Sequence, residues 1–256
     1  MGPLSRAISH LHIAVFRRKH THPYLLMFDL GVGTALLAGY AQAEALGLSG
    51  RLYIVAMALV IGYYRKYLAL KQRLVGAGAR NFLHDCMLYC YPVFALTMAS
   101  TGSAPSSTTS LFLFSFMIIL SMARLGCLVG GCCYGKRSRW GLLYPAIVFD
   151  NRPTCRAFRP GPDPGEPVLP IQLLEAIVGG GLALYLWLHA AEFSGEGMWR
   201  LNLIVVNIYI GFRFVLEFAR DDRPSELIRG LSQTQWIAFL LTLAQGLVFS
   251  AYAPAA

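Results

Sequence analysis

The sequence predicts an all-α integral membrane protein with about seven transmembrane helices and a small extramembrane cap between the fourth and the fifth. Three observations carry that expectation. Hydrophobic residues make up 56% of the 256-residue chain and charged residues only 14%, where an ordinary soluble domain is about a quarter charged. The mean hydropathy is +0.52. Seven mostly apolar runs reach the roughly 18 residues needed to cross a hydrocarbon layer of about 30 Å.

The runs fall near residues 24–46, 52–70, 82–100, 109–130, 168–190, 201–218 and 233–253. The third is interrupted by Asp85, Tyr89, Tyr91 and Pro92, so a tilted or re-entrant segment fits it almost as well as a straight span. Ahead of the first run, residues 1–23 are basic, with Arg17, Arg18 and Lys19 following too short an apolar stretch for a cleavable signal peptide. That opening reads as an interfacial segment, and residues 24–256 as one membrane domain. No internal repeat is visible, which disfavours a transporter built from inverted halves.

With seven spans, the N-terminal segment and the loops near 65–81, 131–167 and 219–232 share one side of the membrane. That side holds nearly all loop lysines and arginines, against Arg51 and Arg200 opposite, so the positive-inside rule alone puts it in the cytoplasm. The proline- and glycine-rich stretch 151–167 excludes a regular helix; residues 131–167 together form the expected cap. The net charge of +9 is of the kind that meets anionic headgroups at a membrane surface, and nucleic acid is not expected as a partner.

Charged residues inside spans are costly and mark interiors or cavities. Arg124 lies in the fourth run ahead of Gly126, Gly130, Gly131 and Gly135, a planar fork of donors suited to phosphate beside backbone that a ligand can approach closely. In the sixth run Arg213, Glu217 and Arg220 share one helical face, so that a carboxylate can hold two guanidinium groups toward an anion. Gln172 and Glu175 share a face just after Pro170, which suits a first-turn position; they read as structural hydrogen-bonding residues. His84 stands at a span edge, where an imidazole can act as a general base near neutral pH. His10, His12, His20 and His22 read as interfacial, and His189 as a span end.

Cysteines stand at 86, 90, 127, 132, 133 and 155, without paired C-x-x-C motifs or histidines at zinc spacing, so no structural metal site is expected. Cys127, Cys132 and Cys133 surround the glycine patch beside Arg124, where a cation favours the thiolate. Small polarizable residues filling a tight turn are the simpler reading of all three.

The segments A-R-L-G-C-L-V-G-G-C-C-Y-G, L-P-I-Q-L-L-E, Y-I-G-F-R-F-V-L-E-F-A-R-D-D and L-S-Q-T-Q-W resemble, in order and interval, the four later signatures of the prolipoprotein diacylglyceryl transferase family. P-Y-L-L-M-F resembles its first-span tyrosine motif. The resemblance implies a seven-span enzyme of the bacterial inner membrane. Such an enzyme moves the diacylglyceryl group of phosphatidylglycerol onto the thiol of a lipobox cysteine in a prolipoprotein. It releases glycerol phosphate at the outer face and needs no metal or cofactor. The family thus places the catalytic cavity on the side opposite to that given by the charge count.

By the same resemblance Arg124 and Arg213 take the places of the phosphate-binding arginines, Tyr24 that of the first-span tyrosine and Gly135 that of the essential glycine. Gln172 and Glu175 match the fifth-span signature, and Glu217 and Arg220 the sixth. The chain also departs from the pattern. Where the family usually reads G-R-x-G-N-F-x-N-x-E, alanine precedes Arg124, Cys127 and Gly130 replace the asparagines, and Cys132 replaces the glutamate. His84 is followed by Asp85 and Cys86 in place of two glycines. This cysteine-bearing form resembles a diacylglyceryl-transferase-like subgroup.

The expected site therefore comprises Arg124, Arg213, His84 and Tyr24 in catalytic roles, with Gly126, Cys127, Cys132, Gly135, Gln172, Glu175, Glu217 and Arg220 around the substrate. Lipid is expected to enter between spans five and six. The donor is phosphatidylglycerol or another anionic phospholipid. Three alternatives differ in chemistry: a lipid transferase with a non-protein acceptor, a membrane thiol oxidoreductase using the three cysteines, and a non-catalytic lipid-binding protein.

Overall fold

The computed structural model of the chain describes residues 5–7, 10, 23–75, 83–100, 102–144, 166–220 and 229–252. Among them run seven main helices: α1 (Pro23–Ala45), α2 (Gly50–Val75), α3 (Leu83–Ala99), α4 (Pro105–Gly130), α5 (Ile171–His189), α6 (Gly195–Phe218) and α7 (Gln233–Tyr252). One strand, β1 (Arg137–Leu142), lies between α4 and α5, and a 3-10 turn, Ala190–Glu192, follows α5. Five helices, α1, α2, α4, α5 and α6, are long and apolar enough to cross a membrane; α3 and α7 hold the shorter apolar stretches Tyr89–Ala99 and Thr234–Leu243.

The third run is the short helix that its sequence foreshadows. With 17 residues and Pro92 inside it, α3 is about 25 Å long at 1.5 Å per residue, less than the hydrocarbon thickness.

Helix α4 is the axis of the bundle, buried along most of its length. It packs against α1, α3, α5 and α6. Small and hydroxyl residues let the neighbours come close, as expected where lipid offers no hydrophobic drive between helices. Gly179 and Gly180 of α5 face Met117 and Ser121 of α4, and the Ser121 hydroxyl donates to the Ala176 carbonyl at 2.7 Å. Gly39 on α1 leaves room for the Tyr53 ring, whose hydroxyl donates to Ala35 O at 2.7 Å. Buried Asn202 of α6 donates to Ser106 O of α4 at 2.8 Å. Large side chains such as Leu37, Leu96 and Val215 are exposed, a lipid-facing surface of the kind a water-soluble core does not need.

The cap is partly strand. Gly131 ends α4 in the left-handed conformation at φ 63°, and the chain turns back so that the Cys132 N–H reaches Cys127 O. Strand β1 then runs beside Val168, which bridges to both Arg137 and Leu142. Residues 145–165, the centre of the expected cap, lie outside the described residues. Of the N-terminal segment, Ser5 is buried and its hydroxyl accepts the Leu143 N–H at 3.3 Å, so this piece packs against the cap.

Candidate functional site

The polar site lies where α4 ends, α5 begins and α6 ends. Gly135 is the point at which these segments are tied. Its N–H donates to Leu169 O at 2.9 Å, and the Lys136 N–H donates to Ala219 O at 2.8 Å, so the loop after α4 is stitched both to the entry of α5 and to the exit of α6. A Cβ on Gly135 would come within 2.8 Å of Ile171 Cγ2 and 2.9 Å of Ala219 O, which leaves no room for any side chain.

Glu175, buried on the first turns of α5, is the electrostatic centre. Arg124 Nε from α4 stands 2.9 Å from Glu175 Oε2, Arg213 Nε from α6 stands 3.7 Å from Glu175 Oε1, and the Tyr209 hydroxyl donates to the same Oε1 at 2.9 Å. Glu217 forms the second tier: Arg213 Nη2 lies 3.1 Å and Arg220 Nε 3.8 Å from its Oε2. The i,i+3 and i,i+4 spacing of Arg213, Glu217 and Arg220 produces this tier directly.

Glu175 thus does more than the hydrogen-bonding role expected from sequence, because the packing of α4 on α5 brings a guanidinium to it. Gln172 keeps that simpler role. It donates from Nε2 to the Cys132 carbonyl and so fastens the cysteine turn to α5.

Three arginines against two glutamates leave one positive charge in surplus within this cluster. Arg124 Nε and Arg213 Nε rest on their ion pairs with Glu175, whereas Arg213 Nη1 is buried with no hydrogen-bond acceptor among the described residues. Buried donors are nearly always satisfied, and a charged one left without an acceptor is costly. One surplus buried cation with an open donor is an arrangement that can take an anion.

Tyr24 at the start of α1 lies within electrostatic range of Arg124, Cys127, Cys132 and Cys133, so the expected first-span residue faces this end of the bundle. Gly126 is buried in the last turns of α4. The backbone of His84 is in α3, but its side chain lies outside the described residues.

Cys127, Cys132 and Cys133 converge with their sulfur atoms within 4.8 Å of one another. Cys133 reaches that position only by adopting φ 57°, a left-handed conformation that costs a non-glycine residue about 1–2 kcal/mol. Hydrogen bonds from Cys127 and Cys132, reinforced by Arg220 and Arg124, hold the Cys133 thiol well below the usual thiol range against the opposing effect of burial.

Below Arg124 an apolar cavity of about 400 Å³ opens sideways, lined by Thr34 and Ala38 of α1, Ile118 and Met122 of α4, and Ala183 and Trp187 of α5. Its second wall is α1 and not α6, so it is not the α5–α6 opening expected from sequence. None of the residues of the cationic cluster lines it.

Two contributors escaped the sequence reading. Tyr209 precedes Arg213 by four residues, on the face shared by Arg213 and Glu217, and that spacing was the signal. Gln235 is fully buried; its Oε1 accepts the Ser232 N–H at 2.9 Å while the Ser232 hydroxyl accepts the Gln235 N–H at 3.3 Å. The spacing S-x-x-Q is a capping box, and Gln235 Nε2 also donates to Phe214 O of α6 at 3.2 Å.

Fold and site together define a multi-pass membrane protein with a buried, net-cationic cluster at one end of its helix bundle and an apolar cavity between α1, α4 and α5. Residues 22–252 match the family model for prolipoprotein diacylglyceryl transferase, and the chain belongs to that family. Among curated relatives it is similar to phosphatidylglycerol-prolipoprotein diacylglyceryl transferase 2 of Clostridium perfringens (29% identical over 129 residues, 50% of this chain and 44% of that protein). It is also similar to the enzymes so named from Clostridium tetani (29% over 136 residues, 53% and 49%) and Dehalococcoides mccartyi strain BAV1 (27% over 121 residues, 47% and 42%). The alignments span a little under half the length of each of these relatives.

Proposed function

We propose that this protein is a transferase that moves the diacylglyceryl group of phosphatidylglycerol to the thiol of a lipobox cysteine in a prolipoprotein, releasing glycerol phosphate. The observation that carries the reading is the surplus positive charge of the cluster around Glu175 and Glu217, with the buried Arg213 Nη1 left without an acceptor among the described residues. Family membership and the names of the relatives support the choice of donor and acceptor.

The chemistry follows from charge. A thiolate attacks the glyceryl carbon that carries the phosphate. A carbon–sulfur bond forms, the carbon–oxygen bond breaks, and its electron pair leaves with the phosphate. The phosphodiester carries one negative charge and the departing monoester approaches two, so the interaction with Arg124 and Arg213 strengthens along the reaction. Fixed cations in a low-dielectric pocket are most effective in that role. Glu175, Tyr209 and Glu217 hold the two guanidinium groups in place beforehand, and Gly126 and Gly135 let backbone and substrate come close. The cavity between α1 and α5 takes acyl chain, with the headgroup at Arg124. Tyr24 closes the site from α1, and His84 is a candidate for taking the thiol proton.

The setting is a bacterial inner membrane with the site at its outer face, residues 1–23 forming an interfacial segment and 24–256 the transferase domain. The test uses the full chain in lipid nanodiscs with headgroup-labelled phosphatidylglycerol and a lipobox peptide. Labelled glycerol phosphate, together with a peptide heavier by one diacylglyceryl group, is the expected result. Both products are lost in Arg124→Ala and Arg213→Ala. Release of glycerol phosphate without peptide modification would assign a different acceptor, and no release from folded protein would remove the proposal.

A further inference from the structure

Among the described residues, the three-cysteine turn is a cluster of reactive side chains that this mechanism leaves unused. Cys127 and Cys132 stand where the family pattern has polar residues. Cys127 comes from the last turn of α4, the left-handed Gly131 reverses the chain, and the left-handed Cys133 aims a third thiol back at the other two. Three sulfurs sharing a zinc ion at about 2.3 Å stand about 3.8 Å apart. The observed sulfurs, within 4.8 Å of one another, need shift by only about half an ångström each to meet that geometry. The pattern lacks the paired C-x-x-C motif because the fold, not the spacing, closes the cluster.

We propose that Cys127, Cys132 and Cys133 bind Zn²⁺ as a tris-thiolate, and that the fourth position of the ion takes the acceptor thiol. Resting on the transferase reading above, this deepens it. Three protein ligands and one open position are the arrangement of catalytic rather than structural zinc, and a thiol that coordinates zinc is held as its thiolate. The acceptor's proton is thereby lost on binding, to His84 or to solvent. The bound sulfur then attacks the glyceryl carbon while Arg124 and Arg213 receive the phosphate. Three thiolates and Zn²⁺ carry a net charge of minus one. Arg220, the cation that acts most strongly on Cys133, stands against it, and Gln172 holds the Cys132 carbonyl, which fixes the turn against the helix carrying Glu175.

The full chain is purified in nanodiscs and its zinc measured by elemental mass spectrometry. Zinc is then replaced by Co²⁺, whose sulfur-to-metal charge-transfer absorption reports thiolate ligation. Expected are one zinc per chain, a thiolate-type Co²⁺ spectrum, and at least tenfold weaker Co²⁺ binding in Cys132→Ser and Cys133→Ser but not in Cys90→Ser, whose thiol is buried on α3 away from the cluster. A lipobox peptide should change the spectrum, and its Cys→Ala form should not.

Folded wild-type protein with neither zinc nor a thiolate spectrum overturns the proposal, as does a spectrum that the peptide leaves unchanged. Transfer that continues in folded, zinc-free protein overturns it while leaving the transferase reading intact. Zinc that responds to the peptide in a protein releasing no glycerol phosphate supports the thiol site and removes the phospholipid reaction.

Discussion

Arg124 on α4 and Glu175 on α5 meet at 2.9 Å in the interior of the bundle, and that pair joins two sequence signatures 51 positions apart. Glu175 also receives Arg213 and Tyr209, so one carboxylate sets the position of both candidate phosphate-binding residues. Glu175→Gln keeps the shape and removes the charge. Breaking a buried pair by removing one partner costs about 3–5 kcal/mol, and here it leaves Arg124 uncompensated and Arg213 with Glu217 alone. The variant should be less stable in thermal denaturation and lose glycerol phosphate release almost completely. A normal rate in stable protein would show that Glu175 does not position the arginines.

Arg213 tests whether charge or geometry matters. Lysine preserves the positive charge but not the planar fork, which here divides itself between Glu175, Glu217 and an unfilled Nη1. Arg213→Lys should release glycerol phosphate at least about 100-fold more slowly than the parent, the order expected when one electrostatic donor to a developing oxyanion is lost. Arg220→Lys should retain much more activity, since its 3.8 Å approach to Glu217 makes it a supporting group. Steady-state rates over a range of phosphatidylglycerol densities separate the two.

The second tier of the site was legible in the sequence, because Arg213, Glu217 and Arg220 sit on one helix and their spacing alone sets their meeting. The first tier was not. Nothing in the spacing of α5 says that Glu175 faces Arg124, since that depends on the glycine-lined contact between α4 and α5. All seven apolar runs became helices, and the weak third run became the short, proline-containing α3. The sequence places Cys127, Cys132 and Cys133 around one glycine patch, but their convergence to a point was not legible, for a different reason. The cluster is closed by two left-handed residues, Gly131 and Cys133, and a left-handed conformation at a cysteine has no sequence signature.

Tyr209→Phe removes only the hydroxyl that donates to Glu175. A hydrogen bond to a charged group contributes about 1.5–3 kcal/mol, so the variant should melt earlier by that equivalent. Its KM for phosphatidylglycerol should rise more than its kcat falls if Tyr209 acts through the carboxylate. An equal fall in kcat and kcat/KM would place the hydroxyl in contact with the reacting phosphate instead.

The capping box ahead of α7 tests whether that helix anchors the site from behind. Ser232→Ala removes the N-cap acceptor for Gln235 and should cost about 0.5–2 kcal/mol. Gln235→Ala loses in addition the tie to Phe214 O on α6 and should cost more. Both variants should keep substantial activity at temperatures where they remain folded, because the bonds they lose hold α7 to its cap and to α6 rather than the cationic side chains.

Gly135 separates a steric role from a chemical one. Its backbone is bonded to Leu169 and bridges to Arg220, and a methyl group there meets Ile171, Leu169 and Ala219 at 2.8–2.9 Å. Relief requires moving the start of α5 away from the end of α6, which stretches the path between Glu175 and Arg213. Overpacking of this kind costs about 1–3 kcal/mol, so Gly135→Ala should lose stability and activity together. Raising the phosphatidylglycerol density should not restore the rate, because the defect is in the spacing of Arg124 and Arg213 rather than in donor supply. A fully active, stable Gly135→Ala protein would mean that the loop after α4 adjusts freely, and the site geometry would then owe nothing to this junction.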